Sequence, residues 1–346
     1  MTDVYIYDST ASDSLSKVRG IGRYIQILKE NFPDYHFIAD LEEVPDHSIF
    51  INPFFDFLKY PLTLKRVSRK QVAVIHDIIP LKYPKHYPVG IKGGVFKRLN
   101  RLALRRYDLI LTVSESTKKD LIKKLNIPDK KIQIVYPILS KQFFKQQMVK
   151  PTSFKIPIKY FIFVSDATWN KNLVNLAKAI KMGDTPCIFV GKVYKTFLDL
   201  NLDEIDHPEQ QEIKNFLKLA KGDSRFIFPG YITDEELVYL YKHAVSNILV
   251  SRDEGFGYSY FEAAALKTPS VLGDRTVFHE TAADTALFAR PERPKDISEK
   301  LKLIAKDSTL QKELGKKAYK RQSLFSAKKF QQQFKKALEN SKFYAI

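Results

Sequence analysis

Short apolar runs alternate with amphipathic segments of helical period along this chain of 346 residues, and no internal repeat interrupts the alternation. The runs have strand length and predict buried strands. They lie at residues 4–7, 48–51, 71–75, 109–113, 131–136, 160–164, 187–190, 225–228, 246–250 and 269–272. Strands that alternate with helices are typical of doubly wound parallel sheets, so an α/β fold is predicted.

The length and composition agree with two globular domains. A chain of 346 residues can bury two cores of ordinary size, and its 44% hydrophobic content is that of a folded protein. The acidic, polar start MTDVYIYDST does not resemble a secretory signal, and the lone Cys187 cannot form an intramolecular disulfide. No apolar run approaches the length of a transmembrane helix, so a cytoplasmic location is predicted.

The composition also suggests where the domains divide. A segment rich in Lys, Gln and Pro, from about residue 140 to 157, is predicted to be the hinge between the two domains. We therefore predict domains at 1–145 and 158–326 with a linker at 146–157. Residues 327–346 contain a basic amphipathic helix, which is either a brace for the first domain or a solvated surface helix.

The most informative local segment is VSRDEGFGYSYFEAAALKTPSVLGDRTVFHETAAD at residues 250–284. Glu254 precedes Gly255-Phe256-Gly257, whose glycines allow backbone N–H groups to approach a ligand closely. The apolar run from Tyr258 predicts a helix that carries Glu262, and a helix N-terminus suits a phosphate or a polar sugar. Helical side chains lean toward the N-terminus, so both glutamates are expected at one hydroxyl-rich ligand.

Three further motifs occur in a fixed order before this segment: GIGRY at 20–24, HDIIPLKYP at 76–84 and FVSDATWNKNL at 163–173. Together with the two glutamates eight residues apart, they resemble family 4 of the retaining glycosyltransferases. The resemblance covers nearly the whole chain. It implies the GT-B fold, in which two Rossmann-like domains face each other across a cleft, the first binding the acceptor and the second binding the nucleotide sugar.

The resemblance also implies roles for particular residues. His76, Lys171 and Glu254 are predicted to be catalytic. The predicted donor-binding residues are Gly20, Gly22, Arg23, Asn170, Gly230, Tyr231, Arg252, Gly255, Phe256, Gly257 and Glu262. No metal and no cofactor are predicted, because the chain has no Asp-x-Asp motif and a nucleotide diphosphate sugar is the substrate.

Two of these motifs also have simpler interpretations. The glycines of GIGRY, which are predicted to form a turn between the first strand and a helix, serve either as an anion site or as an ordinary tight turn. His76 is predicted at the carboxyl end of a strand, where ligands bind in open α/β sheets, but histidine is also a common structural hydrogen-bonding residue.

One motif departs from the family pattern. The family usually has Arg followed by Lys, whereas this chain has Asn170 followed by Lys171. A diphosphate leaving group needs cationic stabilisation, and guanidinium supplies it bidentately. Either Arg252 or Arg23 replaces the missing cation, or both are surface groups and activity is reduced. The segment FIFPGYITDEEL at 226–237 predicts a helix capped by Thr233 and Glu236, with the backbone at Gly230 beside the nucleotide base.

Much of the net charge of +18 is concentrated between residues 82 and 131, which contain fourteen Lys and Arg against four Asp and Glu. The spacing of Lys97, Arg101 and Arg105 would place cations on one helix face, which an anionic membrane surface attracts. No nucleic-acid motif accompanies the charge, so nucleic acid is not a predicted partner. The alternatives are a glycan or lipid-linked acceptor at a membrane, or an ordinary solubilising surface.

The sequence therefore predicts a retaining, metal-independent hexosyltransferase of polysaccharide assembly. A non-catalytic GT-B binding subunit stays open because of Asn170 and of Ser259, where the family often has Pro. A sugar-nucleotide epimerase on the same fold stays open as well. Turnover discriminates among them, because a binding subunit transfers nothing and an epimerase converts the donor without an acceptor.

Overall fold

The computed structural model describes residues 2–10, 20–145, 147–191, 193, 194, 196, 202, 205 and 207–340. The chain divides into two compact units, which we call the N-terminal and C-terminal units. The N-terminal unit comprises Met1–Pro84, Pro88–Lys141 and Phe325–Ile346. The C-terminal unit comprises Lys85–Tyr87 and Gln142–Leu324. Residues 85–87 therefore belong to the C-terminal unit, although the segments before and after them belong to the N-terminal unit. The last segment of the chain belongs to the N-terminal unit, although the segment before it belongs to the C-terminal unit.

The N-terminal unit is built on a six-stranded sheet in which every neighbouring pair is parallel. Its order is β2-β1-β3-β4-β5-β6. The strands are β1 (Val4–Tyr7), β2 (His36–Ile38), β3 (Ile49–Asn52), β4 (Lys70–Ile75), β5 (Leu109–Thr112) and β6 (Ile132–Ile134). The interior strands β3 and β5 are buried along their whole length, as expected when helices cover both faces of a parallel sheet.

The helices of this unit differ in how their ends are capped. They are α1 (Gly20–Asn31), α2 (Ile79–Lys82), α3 (Gly90–Leu104) and α4 (Glu115–Leu125), with α5 (Lys141–Lys145) at the boundary of the units. Helix α4 is capped at both ends: the Ser114 hydroxyl accepts a hydrogen bond from the Thr117 amide at its start, and Asn126 ends it in the left-handed conformation. Helices α2 and α3 start without a side-chain cap. The packing of α3 leaves one face of that helix exposed.

The last helix of the chain, α13 (Ala327–Asn340), packs in the N-terminal unit. Phe330 and Phe334 are buried, with ring centroids 5.8 and 4.8 Å from that of Phe32. The Gln331 side chain donates to the carbonyl of Asn31 at 2.9 Å. The apolar face of α13 thus covers the end of α1.

The C-terminal unit has a second six-stranded parallel sheet, in the order β12-β11-β10-β7-β8-β9. Its strands are β7 (Phe161–Val164), β8 (Cys187–Val190), β9 (Phe226–Ile227), β10 (Ser246–Leu249), β11 (Ser270–Gly273) and β12 (Leu287–Ala289). Its helices are α6 (Leu173–Ile180), α7 (Gln211–Ala220), α8 (Asp234–His243), α9 (Tyr258–Ala265), α10 (Thr276–Ala282), α11 (Pro294–Lys306) and α12 (Ser308–Ser323). Single 3-10 turns occur at Leu41–Glu43, Asp129–Lys131, Trp169–Lys171 and Pro208–Gln210.

Each unit has its own buried core of aliphatic and aromatic side chains. In the N-terminal unit Phe50, Tyr107 and Ile110 belong to one cluster, and in the C-terminal unit Phe163 and Phe189 belong to another. These rings bury large apolar areas, and such burial is the main driving force for folding. Among the described residues, no helix combines the length and the apolar composition needed to cross a bilayer.

The predicted α/β architecture is confirmed, with some corrections. All ten predicted strands are present, with ends shifted by at most two residues, and the capping box of Thr233 and Glu236 begins α8 as predicted. The edge strands β2 and β12 are additions to the predicted set, and each has only three residues and is only partly buried. The predicted glycine turn before α1 is wrong, since Gly20 is the first residue of α1 and Gly22 lies inside it.

Candidate functional site

The C-terminal sheet contains a topological switch point between β7 and β10. From β7 the chain adds β8 and β9 on one side, and β10 then pairs with the other edge of β7. Ligands of open α/β sheets bind beyond the carboxyl ends of the strands where the order reverses. The loops that leave β7 and β10 are the ones that carry Asn170, Lys171, Arg252 and Glu254. The sheet order therefore brings these predicted residues to one edge.

Lys171 and Glu254 form an ion pair at this edge. The Lys171 ammonium Nζ lies 2.6 Å from Glu254 Oε1, and the Ser251 hydroxyl donates to the same oxygen at 2.7 Å. Both charged side chains are mostly buried, so this contact is less screened than a surface ion pair. Both contacts use Oε1 of Glu254. Because Oε2 of Glu254 accepts no hydrogen bond within the described part of the chain, it can accept one from a ligand hydroxyl.

Asn170 ties the two loops together. Its amide oxygen accepts from the Tyr87 hydroxyl at 2.6 Å and from the Thr168 hydroxyl at 2.8 Å. Its amide nitrogen donates to the carbonyl of Asp253 at 3.0 Å, and its own carbonyl accepts from the Arg252 amide at 2.7 Å. Asn170 is only 5% exposed. The residue that replaces the family arginine is therefore a buried connector between the loops.

Arg252 is held by its neighbours, so the alternative of a solvated surface group is wrong for this residue. Its guanidinium carbon lies 4.7 Å from the ring centre of Trp169, and Nη1 lies 3.2 Å from Glu212 Oε1 and donates to the Trp169 carbonyl. The imidazole of His86 stacks on Trp169 at 3.8 Å. Burial, followed by the nearby Arg252 charge, lowers the pKa of His86. A neutral imidazole beside the guanidinium avoids like-charge repulsion.

Gly257 gives the loop after β10 its shape. Its φ of +92° is left-handed, and a Cβ at this position would lie 2.9 Å from the ring of Phe278. As predicted, the helix then begins at Tyr258 and carries Glu262. Phe256, between Gly255 and Gly257, is buried and stacks on Phe261 at 4.4 Å. The fold thus presents the N-terminal amides of α9 beside the ion pair's loop, which favours an anion.

A buried hydroxyl lies in the first turn of α9. Ser259 Oγ is shielded from solvent and has no hydrogen-bond partner among the described residues. Buried hydroxyls normally find a partner, so this one can serve a ligand oxygen. Ser259 is where the family often has Pro, which offers no such group.

Glu262 already has a partner, which no sequence motif indicates. It is 2% exposed, and its Oε2 accepts from the Tyr241 hydroxyl at 2.8 Å. This hydrogen bond fixes the orientation of the Glu262 carboxylate against α8. That both glutamates converge on one ligand stays a prediction. Gly230 has a left-handed φ of +80°, and Tyr231 after it is mostly exposed.

The predicted residues of the N-terminal unit also lie at the carboxyl edge of their sheet. His76 follows β4, and its ring centre lies 4.7 Å from that of Tyr24 and 5.7 Å from that of Phe54. Tyr24 is on α1, the helix that contains Gly20, Gly22 and Arg23. The structure therefore brings the GIGRY motif and His76 together within this unit.

The protonation state of His76 follows from its surroundings. Burial lowers the pKa of His76 to about 4, so the ring is neutral near pH 7. Its Nε2 lies 3.2 Å from the Pro53 carbonyl oxygen. A carbonyl oxygen only accepts, so Nε2 carries the proton and Nδ1 is an acceptor. A neutral acceptor of this kind suits a sugar hydroxyl.

Several side chains that shape the site are not among the predicted site residues: Tyr87, Ser251, Glu212 and Tyr241. Ser251 is only three residues from Glu254, and a search for local donors would find it. Tyr87 is 83 residues from Asn170, and no local pattern marks that contact. In the described ranges, His, Cys, Asp and Glu side chains form no group of three suited to a metal ion.

Comparison with known families agrees with this geometry. A family model described as "Glycosyl transferases group 1" matches residues 145–321, and one described as "Glycosyltransferase Family 4" matches residues 43–140. The chain belongs to the glycosyl transferases group 1 family. The first match contains all the predicted site residues of the C-terminal unit, and the second contains His76. Membership of this family confirms the resemblance noted in the sequence.

Curated relatives include bacterial O-antigen mannosyltransferases. The O-antigen chain mannosyltransferase RfbU of Salmonella typhimurium is 28% identical over 236 residues, which cover 68% of this chain and 61% of that protein. The O-antigen chain mannosyltransferase B of Escherichia coli is 25% identical and covers 64% of this chain and 58% of its own length. The chain thus spans about three fifths of each of these relatives.

Solved structures show the same fold. Sucrose-phosphate synthase from Thermosynechococcus elongatus has a TM-score of 0.71 at 14% identity, with 98% of both chains covered. Anabaena Alr3699/HepE in complex with UDP and glucose has a TM-score of 0.70 at 15% identity, covering 98% of this chain and 100% of that one. With the two parallel sheets, these similarities confirm the GT-B fold.

Proposed function

We propose that this protein transfers a hexosyl group from a nucleotide diphosphate sugar to a hydroxyl of a glycan or lipid-linked acceptor, with retention of the anomeric configuration. The relatives named as O-antigen mannosyltransferases support a mannosyl group and a role in polysaccharide assembly. The structural neighbour that contains UDP and glucose supports a nucleotide sugar as donor.

The observation that carries the proposal is the position of the Lys171–Glu254 pair. It lies at the switch point of the C-terminal sheet, in the loops that precede α6 and α9. A cation, a carboxylate and helix N-terminal amides at one edge match the parts of a sugar diphosphate. The amides and Lys171 suit the diphosphate, while Glu254 Oε2 suits a sugar hydroxyl.

The chemistry needs charge stabilisation on the leaving group. As the bond from the anomeric carbon to the diphosphate oxygen breaks, the acceptor oxygen forms its bond on the same face. The departing oxygen takes the acceptor's proton. Lys171 and the amides of Gly255, Phe256 and Gly257 stabilise the developing negative charge, and in many enzymes such stabilisation lowers the barrier more than any other effect.

The remaining predicted residues position the substrates in this proposal. Glu262, oriented by Tyr241, binds the ribose hydroxyls, and the backbone at Gly230 and Tyr231 borders the base. Arg252 supplies positive potential near the diphosphate from its place on Trp169. In the N-terminal unit, Nδ1 of His76 accepts a hydrogen bond from a sugar hydroxyl, and the GIGRY residues Gly20, Gly22 and Arg23 favour an anion.

The acceptor and its location are part of the same proposal. The net charge of +10 between residues 82 and 131 favours an anionic membrane surface, where a lipid-linked acceptor would lie. The lack of a nucleic-acid motif makes nucleic acid a poorer fit. No metal or cofactor is proposed, because Lys171 and the α9 amides can stabilise the leaving diphosphate.

The decisive experiment is a transfer assay with a panel of GDP-, UDP- and dTDP-linked mannose and glucose and a glycan acceptor. We expect a mannose donor to be consumed, with a product of retained configuration and with a rate that survives EDTA. Lys171→Ala is expected to lower kcat/KM by about 100-fold to 1000-fold, as for loss of one contact to developing charge. Lys178→Ala, an exposed lysine on α6, is the control and should have no effect.

The same assay separates the alternatives. Donor conversion without an acceptor would identify an epimerase, and binding without any turnover would identify a non-catalytic subunit. A rate that is lost in EDTA and restored by manganese or magnesium would contradict the metal-independent mechanism. Normal turnover in Lys171→Ala would remove this residue from the diphosphate site.

A further inference from the structure

Helix α3 of the N-terminal unit presents an apolar stripe to solvent. Ile91 is 91% exposed, Leu102 is 52% exposed and Val95 is 47% exposed. At about 100° of rotation per residue, these three side chains lie within about 40° of one another on the helix. Scattered exposed apolar residues are normal, but three aligned on one helix form a surface that can bind an apolar partner.

The opposite face of α3 fixes the orientation of this stripe. Gly93, Asn100, Ala103 and Leu104 are buried. The Asn100 amide donates to the carbonyl of Lys59 at 2.7 Å and to that of Phe96 at 3.0 Å. The helix is therefore anchored by its other side, and the stripe stays exposed without loss of core packing.

The charges around the stripe have one sign. Between residues 78 and 107 the chain contains eight Lys and Arg and no Asp or Glu. Arg98 and Arg101 are exposed on α3 itself, within about 80° of Ile91 by the same rotation. Long cationic side chains beside an apolar stripe are typical of helices that lie in the plane of a membrane interface.

An aromatic residue extends the surface. Tyr60 is 64% exposed, and its ring centre lies 5.8 Å from that of Phe96 on α3. The loop that carries it is held to α3 through the Asn100 bond to Lys59. Tyr side chains favour the boundary between apolar and aqueous phases, because one end of the ring is apolar and the other is polar.

We propose that α3 is a membrane-docking helix that lies flat on an anionic bilayer, with Ile91, Val95 and Leu102 inserted below the headgroups. Arg98 and Arg101 bind lipid phosphates, and Tyr60 lies at the interface. A nucleic acid would satisfy the charges but would not bury the apolar stripe, and a second copy of this basic chain would bring like charges together. This inference rests on the proposed function, because it places the acceptor at the membrane. Vesicle binding tests membrane docking independently of catalytic turnover.

The experiment is co-sedimentation with vesicles of phosphatidylcholine alone or of equal parts phosphatidylcholine and phosphatidylglycerol. The wild-type protein is expected to bind only the anionic vesicles and to be released by high salt. Ile91→Ser with Leu102→Ser should weaken binding at least about tenfold. Arg98→Ser with Arg101→Ser should weaken it about 25-fold, at about fivefold for each charge.

Matched controls lie on the C-terminal unit. Leu303→Ser removes another exposed apolar side chain, and Lys312→Ser with Lys316→Ser removes the same number of exposed charges. Both are expected to bind vesicles as the wild type does. Circular dichroism of every variant establishes that it is folded. All variants should transfer to a short soluble acceptor at the wild-type rate, so a failed membrane test and a failed transfer test remain distinct.

The proposal is overturned if the α3 variants sediment with anionic vesicles as strongly as the controls, or if neutral and anionic vesicles bind equally. It is also overturned if the protein shows no vesicle binding but forms dimers that Ile91→Ser abolishes, which would make α3 a self-association surface. Binding to a DNA or RNA oligonucleotide that is lost in the arginine variant but not in the Ile91 variant, without vesicle binding, would point to nucleic acid instead.

Discussion

Asn170 decides how the loops at the switch point are connected. Its side chain accepts from Tyr87 and Thr168 and donates to the Asp253 carbonyl, all within 3.0 Å. An asparagine amide can both donate and accept, whereas guanidinium only donates. The departure from the family's arginine thus replaces a cation by a two-way hydrogen-bonding group, and the cation nearest in sequence on the facing loop, Arg252, is packed on Trp169.

Asn170→Arg is therefore expected to destabilise the C-terminal unit and not to raise activity. The larger, charged side chain has to displace the Tyr87 hydroxyl from a site that is nearly closed to solvent, at a cost of about 3 kcal/mol. Trp169 is the single tryptophan of the chain, so its fluorescence during urea unfolding measures the effect in this unit. Tyr87→Phe removes the same hydroxyl without adding charge and should cost about 1–2 kcal/mol. An Asn170→Arg protein that is as stable as wild type and faster would show that the native clamp lacks a cation.

The lowered pKa of His76 predicts that the stability of the N-terminal unit depends on pH. Burial lowers the pKa of His76 to about 4, below the 6.5 of an unperturbed histidine. The unfolded state therefore binds the proton first, and this residue's contribution to stability is full above the unfolded pKa and is lost as the pH falls toward 4. Between about pH 7 and about pH 5, the loss amounts to about 2 kcal/mol.

Calorimetric unfolding of the wild type and His76→Gln at both pH values measures this difference. The wild type should lose more stability than the variant on acidification, because glutamine does not titrate. An equal loss in both proteins would show that His76 titrates normally in the folded chain.

At the scale of elements, the turn into α9 depends on one backbone angle. Gly257 has a φ of +92°, and an added Cβ would meet Phe278 at 2.9 Å. Gly257→Ala is expected to destabilise the C-terminal unit by about 2 kcal/mol or more and to weaken nucleotide binding, since the amides of α9 must move. Gly222 is a matched control: its φ is +75°, and a Cβ there meets nothing within 4 Å. Gly222→Ala should cost about 1 kcal/mol and leave nucleotide affinity unchanged.

Trp169 fluorescence and calorimetric titration with the matching nucleoside diphosphate measure the two effects. If both alanine variants bind nucleotide like the wild type, the α9 terminus is not part of the diphosphate site.

The sequence predicts elements well where burial dominates. Runs such as QVAVI and CIFV become strands because parallel strands covered on both faces need continuous apolar residues. The start of α1 escapes prediction because its glycines suggest a turn, whereas burial of Tyr24, Ile25 and Leu28 on one face outweighs their poor helix propensity. Pairs such as Glu262 with Tyr241 depend on which helices pack together, which local patterns do not specify.

At the scale of the whole molecule, two six-stranded parallel sheets carry different surfaces. The N-terminal unit has the basic segment and the exposed stripe of α3, and the C-terminal unit has the ion pair at its switch point. The motif resemblance predicts different roles for the two units, because four short motifs in order are specific where each alone is common. Those roles stay a prediction. The resemblance does not anticipate that Lys85–Tyr87 belongs to the C-terminal unit, since three residues carry too little pattern to assign.

The membership of Phe325–Ile346 in the N-terminal unit affects the order in which the chain can fold during synthesis. A ribosome releases residues 142–324 before it releases α13, so the C-terminal unit can complete its core first. Until Phe330 and Phe334 emerge, Phe32 of the N-terminal unit lacks two of the aromatic rings that pack on it. The unit that is translated first is thus completed last, and part of its apolar surface near α1 stays uncovered until α13 has been synthesised.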